Sequence, residues 1–179
     1  QSIVSTDSNE IIRLAKKYNI NSILRPKNLC NFNSSIEKAI IHLLQNIKYR
    51  KLNYKWILLL QPTSPLRDIK SYKKMLQNYY KFNKTSKFII SLSLFKEDLW
   101  VSKRQFLDRV FKNQSRRQQL RKNLYIENGM YYLFEIKNFL SNKNFIGKKT
   151  SGFITPKINS IDINDEIDFK ITESLINKL

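Results

Sequence analysis

The run Trp56-Ile57-Leu58-Leu59-Leu60, closed at once by Gln61-Pro62-Thr63-Ser64-Pro65, constrains this chain more than any other segment. Consecutive apolar side chains point to both faces of an extended strand, so both faces must be covered. The two prolines fix φ and remove two amide donors, which ends the strand and stiffens the following loop. A strand covered on both sides asks for helices on either face of a sheet, and the flanking sequence supplies them. Ile3-Val4 ends at Ser5-Thr6-Asp7-Ser8, whose oxygens can cap a helix carrying Ile11, Leu14, Ala15 and Tyr18. Residues 20–24 read as a second short strand, stopped by Arg25-Pro26 because the residue before proline prefers an extended backbone. Ser34 and Glu37 have capping-box spacing ahead of the helical stripe Ile36, Ile40, Leu43, Leu44 and Ile47.

Past the proline loop, Asp68 is placed to cap a helix reaching about Phe82, and residues 87–94 read as a strand. Strands are also predicted at 130–134 and 152–155, the latter ended by Pro156. Asn164 or Asp165 caps a last helix with Ile167, Ile171, Leu175 and Leu179 on one face. Residues 95–126 show no clear period and read as an excursion from the sheet. This alternation predicts one α/β domain over residues 1–179, a layered sheet of mainly parallel order. Ligands in such sheets bind at the carboxyl ends of strands, which singles out loops 5–8, 25–35, 61–67 and 161–165.

Composition narrows the function classes. No apolar run exceeds five residues, so no membrane-spanning helix is predicted. The start carries no basic segment followed by an apolar stretch, and one cysteine, Cys30, allows no disulfide framework; a reducing, cytoplasmic setting is expected. Cys30 has no CxxC partner and the chain has one histidine, His42, so zinc and cysteine-protease chemistry are excluded; His42 is read as structural. The net charge of +19 predicts attraction to polyanions: nucleic acid, anionic lipid or phosphorylated metabolites. The excess is uneven, with 21 basic against 4 acidic residues between 38 and 126. Yet 23 Ile, 24 Lys and 19 Asn against two Ala are also what an A/T-rich gene would encode. Much of the lysine can therefore be solvated surface.

Three groups of residues can carry chemistry. The loop 61–67 holds Gln61, Thr63, Ser64 and Arg67 rigidly, which suits a polar, anionic small molecule. In Ser160-Ile161-Asp162-Ile163-Asn164, alternation at a strand end would put Asp162 and Asn164 on one side. Two such oxygen donors can seat Mg²⁺, which takes one or two protein carboxylates, waters and substrate phosphates. Paired Arg116-Arg117 can clamp a carboxylate, or be a solvated basic run.

Taken together, STDS at 5–8, Arg25-Pro26, Ser34-Ser35, LLQPTSPLR at 59–67, RQQL at 117–120, Glu127-Asn128-Gly129 and SIDI at 160–163 resemble the acylneuraminate cytidylyltransferase family over almost the whole chain. The resemblance implies a three-layer Rossmann-like nucleotidyltransferase sheet. It also implies transfer of CMP from CTP to a nine-carbon nonulosonic acid such as N-acetylneuraminate, with Mg²⁺ required and pyrophosphate released. Arg25, Ser34 and Ser35 match nucleotide-holding positions; Gln61, Arg117 and Asn128 match sugar contacts; Asp162 matches a catalytic, metal-binding aspartate. A homodimer is implied, with a segment equivalent to about 95–126 reaching toward the partner as a dimerisation or substrate-lid element. The chain departs from the family at Asn164, where an aspartate is usual, and at Arg121, where a proline is usual. Its first glycine is Gly129, so the family's opening strand and glycine-bearing phosphate loop have no counterpart. The expectation is an N-terminally truncated enzyme, weakly active or inactive by itself. A basic nucleic-acid-binding domain and a non-catalytic remnant are the alternatives; no nucleic-acid module is recognisable, and neither nucleic acid nor membrane is expected as a partner.

Overall fold

The computed structural model describes residues 1–31, 33–47, 53–110 and 124–176. Within it the chain packs as two compact units, one of residues 1–57 and 134–147, the other of 58–133 and 148–179.

The first unit opens with β1 (Ile3–Thr6), α1 (Asn9–Lys17) and β2 (Asn21–Leu24). Ser8 caps α1 as predicted, its Oγ accepting from the Ile11 amide at 3.3 Å. β1 and β2 pair in parallel, Ile3 opposite Asn21 through Thr6 opposite Leu24, so their carboxyl ends lie side by side. Only Ala15 of the α1 stripe is buried; Ile11, Leu14 and Tyr18 are exposed. α2 (Ile36–Asn46) buries Ala39, Ile40 and Leu44 as its spacing predicts. Its capping box does not form. Ser35 is the N-cap and makes no side-chain cap bond, while Ser34 Oγ turns back to donate to the Asn28 carbonyl. The unit also holds α4 (Ile136–Asn142), which the sequence reading misses. A strand runs directly into it, the N-cap Glu135 makes no side-chain cap bond, and it closes on Lys143 at φ 51° rather than on glycine. Phe134, Phe139 and Phe145 pack there, with Phe134 ring centroids 5.2 and 6.0 Å from the other two.

Most of a sheet of order β3-β7-β4-β8 lies in the second unit, with β3 (Trp56–Leu59), β4 (Phe88–Leu94), β7 (Tyr125–Glu135) and β8 (Thr150–Ile154). β4 and β8 are parallel, Phe88 opposite Thr150 through Leu92 opposite Ile154. β7 is longer than predicted, and its Met130, Tyr131, Tyr132 and Leu133 are all buried. α3 (Ile69–Phe82) lays Ser71 and Met75 inward. The excursion is partly regular: β5 (Trp100–Lys103) and β6 (Phe106–Arg109) form an antiparallel hairpin turned at Arg104, φ 54°. Residues 111–123, with Arg116, Arg117 and Arg121, lie outside the described residues, as does Leu179. α5 (Glu166–Ile176) reverses its expected orientation: Thr172 is buried, while Ile167 and Ile171 of the apolar stripe are exposed. Its cap is as read from the sequence, with Asp165 accepting from the Asp168 amide at 2.8 Å.

At the start of α3 the Asp68 carboxylate accepts from the Ser71 amide at 2.7 Å, and Ser71 Oγ accepts from the Asp68 amide at 3.3 Å. The two bonds from Ser71, side chain first, hold the Asp68 carboxyl below its ordinary value. A lowered folded-state value stabilises above the unfolded pKa and is lost as pH falls through the folded one. Asp68→Ala should therefore cost about 1 kcal/mol in urea unfolding at neutral pH, and the difference from wild type should shrink in acid below pH about 4.

Candidate functional site

The carboxyl end of β3 and the middle of β7 meet at one glycine. Gly129 sits at φ 71°, in the left-handed region, and kinks β7. A Cβ built there would stand 2.7 Å from Gln61 Oε1, 3.2 Å from Ser64 Oγ and 3.8 Å from Asp162 Oδ1. Three side chains from loops far apart in sequence thus converge on a stretch of bare backbone.

Each is placed by identifiable bonds. Arg67, from the loop's end, donates through Nη2 to the Gln61 carbonyl at 2.6 Å and through Nε to the Met130 carbonyl at 2.8 Å. It therefore closes the proline loop on itself and ties it to β7. Burial lowers the Arg67 pKa, while Tyr131 and Asp162 oppose the shift. Its guanidinium also lies 5.7 Å from the centre of the Tyr131 ring. Ser64, fully buried, donates within 3.4 Å of the Asn128 carbonyl and 3.5 Å of Asp162 Oδ1. The Ile163 amide donates to the Thr63 carbonyl at 2.8 Å, and Asn159 Nδ2 to the Leu66 carbonyl at 2.7 Å. These two bonds dock the segment bearing Asp162 alongside the 61–67 loop.

Asn128 is buried, and its carboxamide is engaged inside the unit. Oδ1 accepts from Ser91 at 2.7 Å, and Nδ2 lies 2.7 Å from Thr155 Oγ1, 2.9 Å from Ser93 Oγ and 3.1 Å from Ser160 Oγ. It joins β7 to β4, to the end of β8 and to the turn before Asp162. Two amide hydrogens shared among three hydroxyls leave it a holder of the site's frame. Beside it the buried Tyr132 hydroxyl donates to Glu127 Oε1 at 2.5 Å. Burial, the Glu127 bond and the Asp162 charge push the Tyr132 phenol well above its ordinary value. Sequence spacing gave no hint of the Tyr132–Glu127 pair, because only the kink at Gly129 lets residues five apart on a strand meet.

Residues 161–164 are not a strand: they follow a 3₁₀ turn, Lys157–Ser160. The expected alternation is therefore absent. Asp162 is half-buried, whereas Asn164 is exposed and donates through Nδ2 to the Asp162 carbonyl at 3.2 Å. Arg25, Ser34 and Ser35 belong to the first unit. There the Arg25 guanidinium lies 3.7 Å from Asp7 Oδ1, its Nε and Ser5 Oγ are buried without hydrogen-bond partners among the described residues, and its amide donates to the Thr6 carbonyl at 2.7 Å. Arg117 lies outside the described residues.

No family model matches the chain. Among solved structures it superposes on a 4-diphosphocytidyl-2C-methyl-D-erythritol synthase from Anaerococcus prevotii with a TM-score of 0.63 at 12% identity, covering 98% of this chain and 77% of that one. A CMP:2-keto-3-deoxy-manno-octonic acid synthetase solved with CTP gives 0.60 at 10% identity, covering 98% of this chain and 80% of that one. The fold is the α/β, Rossmann-like fold of these nucleotidyltransferases. By sequence, the chain is 29% identical to an N-acylneuraminate cytidylyltransferase of Escherichia coli O18:K1:H7, over 98% of its own length and 42% of that protein. A CMP-N,N'-diacetyllegionaminic acid synthase of Legionella pneumophila is 28% identical, over 97% of this chain and 77% of the relative. Post-translational flagellin modification protein B of Campylobacter coli is 24% identical, over 98% of this chain and 77% of the relative. The chain thus spans less than half of the first relative and about three quarters of the other two. The resemblance to acylneuraminate cytidylyltransferases is borne out: the chain is homologous to enzymes of nucleotidyl transfer over almost all its length.

The convergence on Gly129 makes a sharp expectation. Gly129→Ala must place a methyl group against Gln61 Oε1 and hold a side-chain-bearing residue at φ 71°. Urea unfolding should report a loss of about 1–2 kcal/mol, whereas a loss below the error of the melt would mean the kink relaxes freely.

Proposed function

We propose that the chain catalyses, or carries half the site for, transfer of CMP from CTP to a nonulosonic acid such as N-acetylneuraminate, with release of pyrophosphate. The observation that carries this reading is the meeting of Gln61, Ser64 and Asp162 over the backbone of Gly129 at the carboxyl end of β3. Strand ends of an α/β sheet are where such folds hold ligands, and bare backbone lets a ligand approach closely. The relatives' names supply the substrate class, CMP joined to a nine-carbon sugar acid. In this reading Gln61 presents its carboxamide to the sugar, Arg67 fixes that presentation, and Ser64 orients the Asp162 carboxylate. Arg117 would hold the sugar acid. Arg25, Ser34 and Ser35, in the first unit, match the family's nucleotide-holding positions. Asn128 serves as a positioning residue, holding the frame on which Gly129 and Asp162 stand. The sugar's anomeric hydroxyl attacks the α-phosphorus of CTP, the new O–P bond forming as the bond to pyrophosphate breaks and the hydroxyl proton passes to solvent.

Mg²⁺ belongs to the reading. Asp162 offers the hard oxygen donor it prefers, with one long hydrogen bond from Ser64 to displace. Among the described residues no group of three acids, histidines or cysteines gathers, so water and substrate phosphates would complete the shell, with Asn164 able to add an amide oxygen. When bound, the ion would neutralise charge developing on pyrophosphate.

Turnover by this chain is expected to be slow. Its three glycines are 129, 147 and 152, and Gly129 and Gly152 lie within strands while Gly147 follows α4, so none opens a strand-to-helix phosphate loop. Incubation with CTP, Mg²⁺ and N-acetylneuraminate, followed by pyrophosphate assay, tests the reading. Slow release that stops with EDTA and in Asp162→Asn supports it. No release, together with no heat of binding for either substrate, removes it.

A homodimer completes the reading, with the β5–β6 hairpin as the contact or lid. Trp100, Phe106 and Leu107 on that hairpin are exposed, and a small two-stranded ribbon gains stability by docking. Sedimentation velocity should show a two-copy particle that Phe106→Asp/Leu107→Asp dissociates; a wild-type monomer at high concentration would sink this part.

A further inference from the structure

The face of α3 turned away from the sheet is unlike an ordinary solvated helix surface. Ile69, Tyr72, Leu76 and Tyr80 recur at i, i+3, i+7 and i+11, the spacing of a buried stripe, yet Ile69 is 72%, Tyr72 44% and Tyr80 73% exposed. The helix packs instead through Ser71 and Met75. Tyr80 is held in place by an edge contact with Tyr79, ring centroids 5.3 Å apart. Beside the stripe stand Lys70, Lys73 and Lys81, all exposed. Between Asp68 and Glu97 the chain carries seven lysines, no arginine and no acidic residue. An apolar and aromatic stripe edged by lysine is the pattern of a helix lying in a bilayer interface, its rings at headgroup depth and its ammonium groups among anionic lipids.

We infer that the outer face of α3 docks the protein on an anionic membrane surface. The partner must be polyanionic, because the helix itself carries only lysines as charged residues, and Asp68 at its N-cap offsets Lys70 alone. A bilayer suits it better than nucleic acid for two reasons. The centre of the face is an isoleucine and tyrosines, which gain from leaving water. Its cations are all lysine, point charges suited to a diffuse anionic surface, whereas bidentate reading of phosphates favours arginine. The inference is independent of the proposed transferase activity, since none of these residues belongs to the site around Gly129.

The test is co-sedimentation of the whole chain with phosphatidylcholine vesicles containing or lacking phosphatidylserine. Binding should require phosphatidylserine and weaken with salt. Lys70→Gln/Lys73→Gln/Lys81→Gln should lower partitioning by about a hundredfold, and Tyr80→Ser should weaken it at every salt concentration. A charge-matched control, Lys137→Gln/Lys143→Gln/Lys148→Gln, should bind nearly as wild type. All these side chains are exposed, and unchanged circular dichroism would confirm that the variants fold. Equal losses in both triple variants would overturn the inference by assigning the effect to net charge. So would the absence of phosphatidylserine-dependent binding, or salt-sensitive binding to random duplex DNA in preference to the vesicles.

Discussion

The second unit's site hangs on one guanidinium. Arg67 donates to two carbonyl oxygens, those of Gln61 and Met130, one in the loop and one in β7. A proline loop has few amides with which to hold itself, and here Pro62 and Pro65 have removed two of them. A cationic donor with a rigid fork restores the missing bonds at greater strength than neutral amides would. Once the loop is closed, Ser64 is buried against the Asn128 carbonyl, Thr63 receives the Ile163 amide, and Asp162 arrives beside Gly129. The arrangement therefore runs from a covalent restriction to a charge-assisted clamp, and only then to the side chains that would meet a ligand.

Much of this fold is legible in the sequence because its signals are local. The caps at Ser8, Asp68 and Asp165 are where the side chains say they should be, and the strand before the proline loop ends where its prolines require. What escaped depends on distant partners. The α5 stripe reads as core, yet the helix turns Thr172 inward, a choice made by the surface it meets rather than by its own periodicity. The Ser34–Glu37 spacing reads as a box, but the Asn28 carbonyl competes for Ser34. α4 escaped because a strand flows into it with no proline to mark the change and an N-cap, Glu135, that makes no side-chain cap bond.

The same division holds for the candidate site. Gln61 and Asp162 stand out as polar residues at loop positions where an α/β sheet gathers ligands. Asn128 also stands out, but its carboxamide bridges three structural elements, a task that only contacts across the sheet reveal. Arg67 was legible as a loop cation but not as the clamp, because its acceptors are main-chain carbonyls and leave no mark in the sequence. Positive charge inside the site and positive charge over α3 thus have different origins. The first is buried and committed to backbone; the second is exposed to solvent.

The Tyr132–Glu127 pair gives the site one further property. A buried phenol raised well above its ordinary pKa remains a neutral donor through the whole physiological range. It can satisfy Glu127 on one side while feeling Asp162 on the other, without adding or surrendering a charge of its own. Both carboxylates favour the protonated phenol, Glu127 through its bond and Asp162 through its charge. Modest drifts in pH around neutrality therefore leave this donor unaltered.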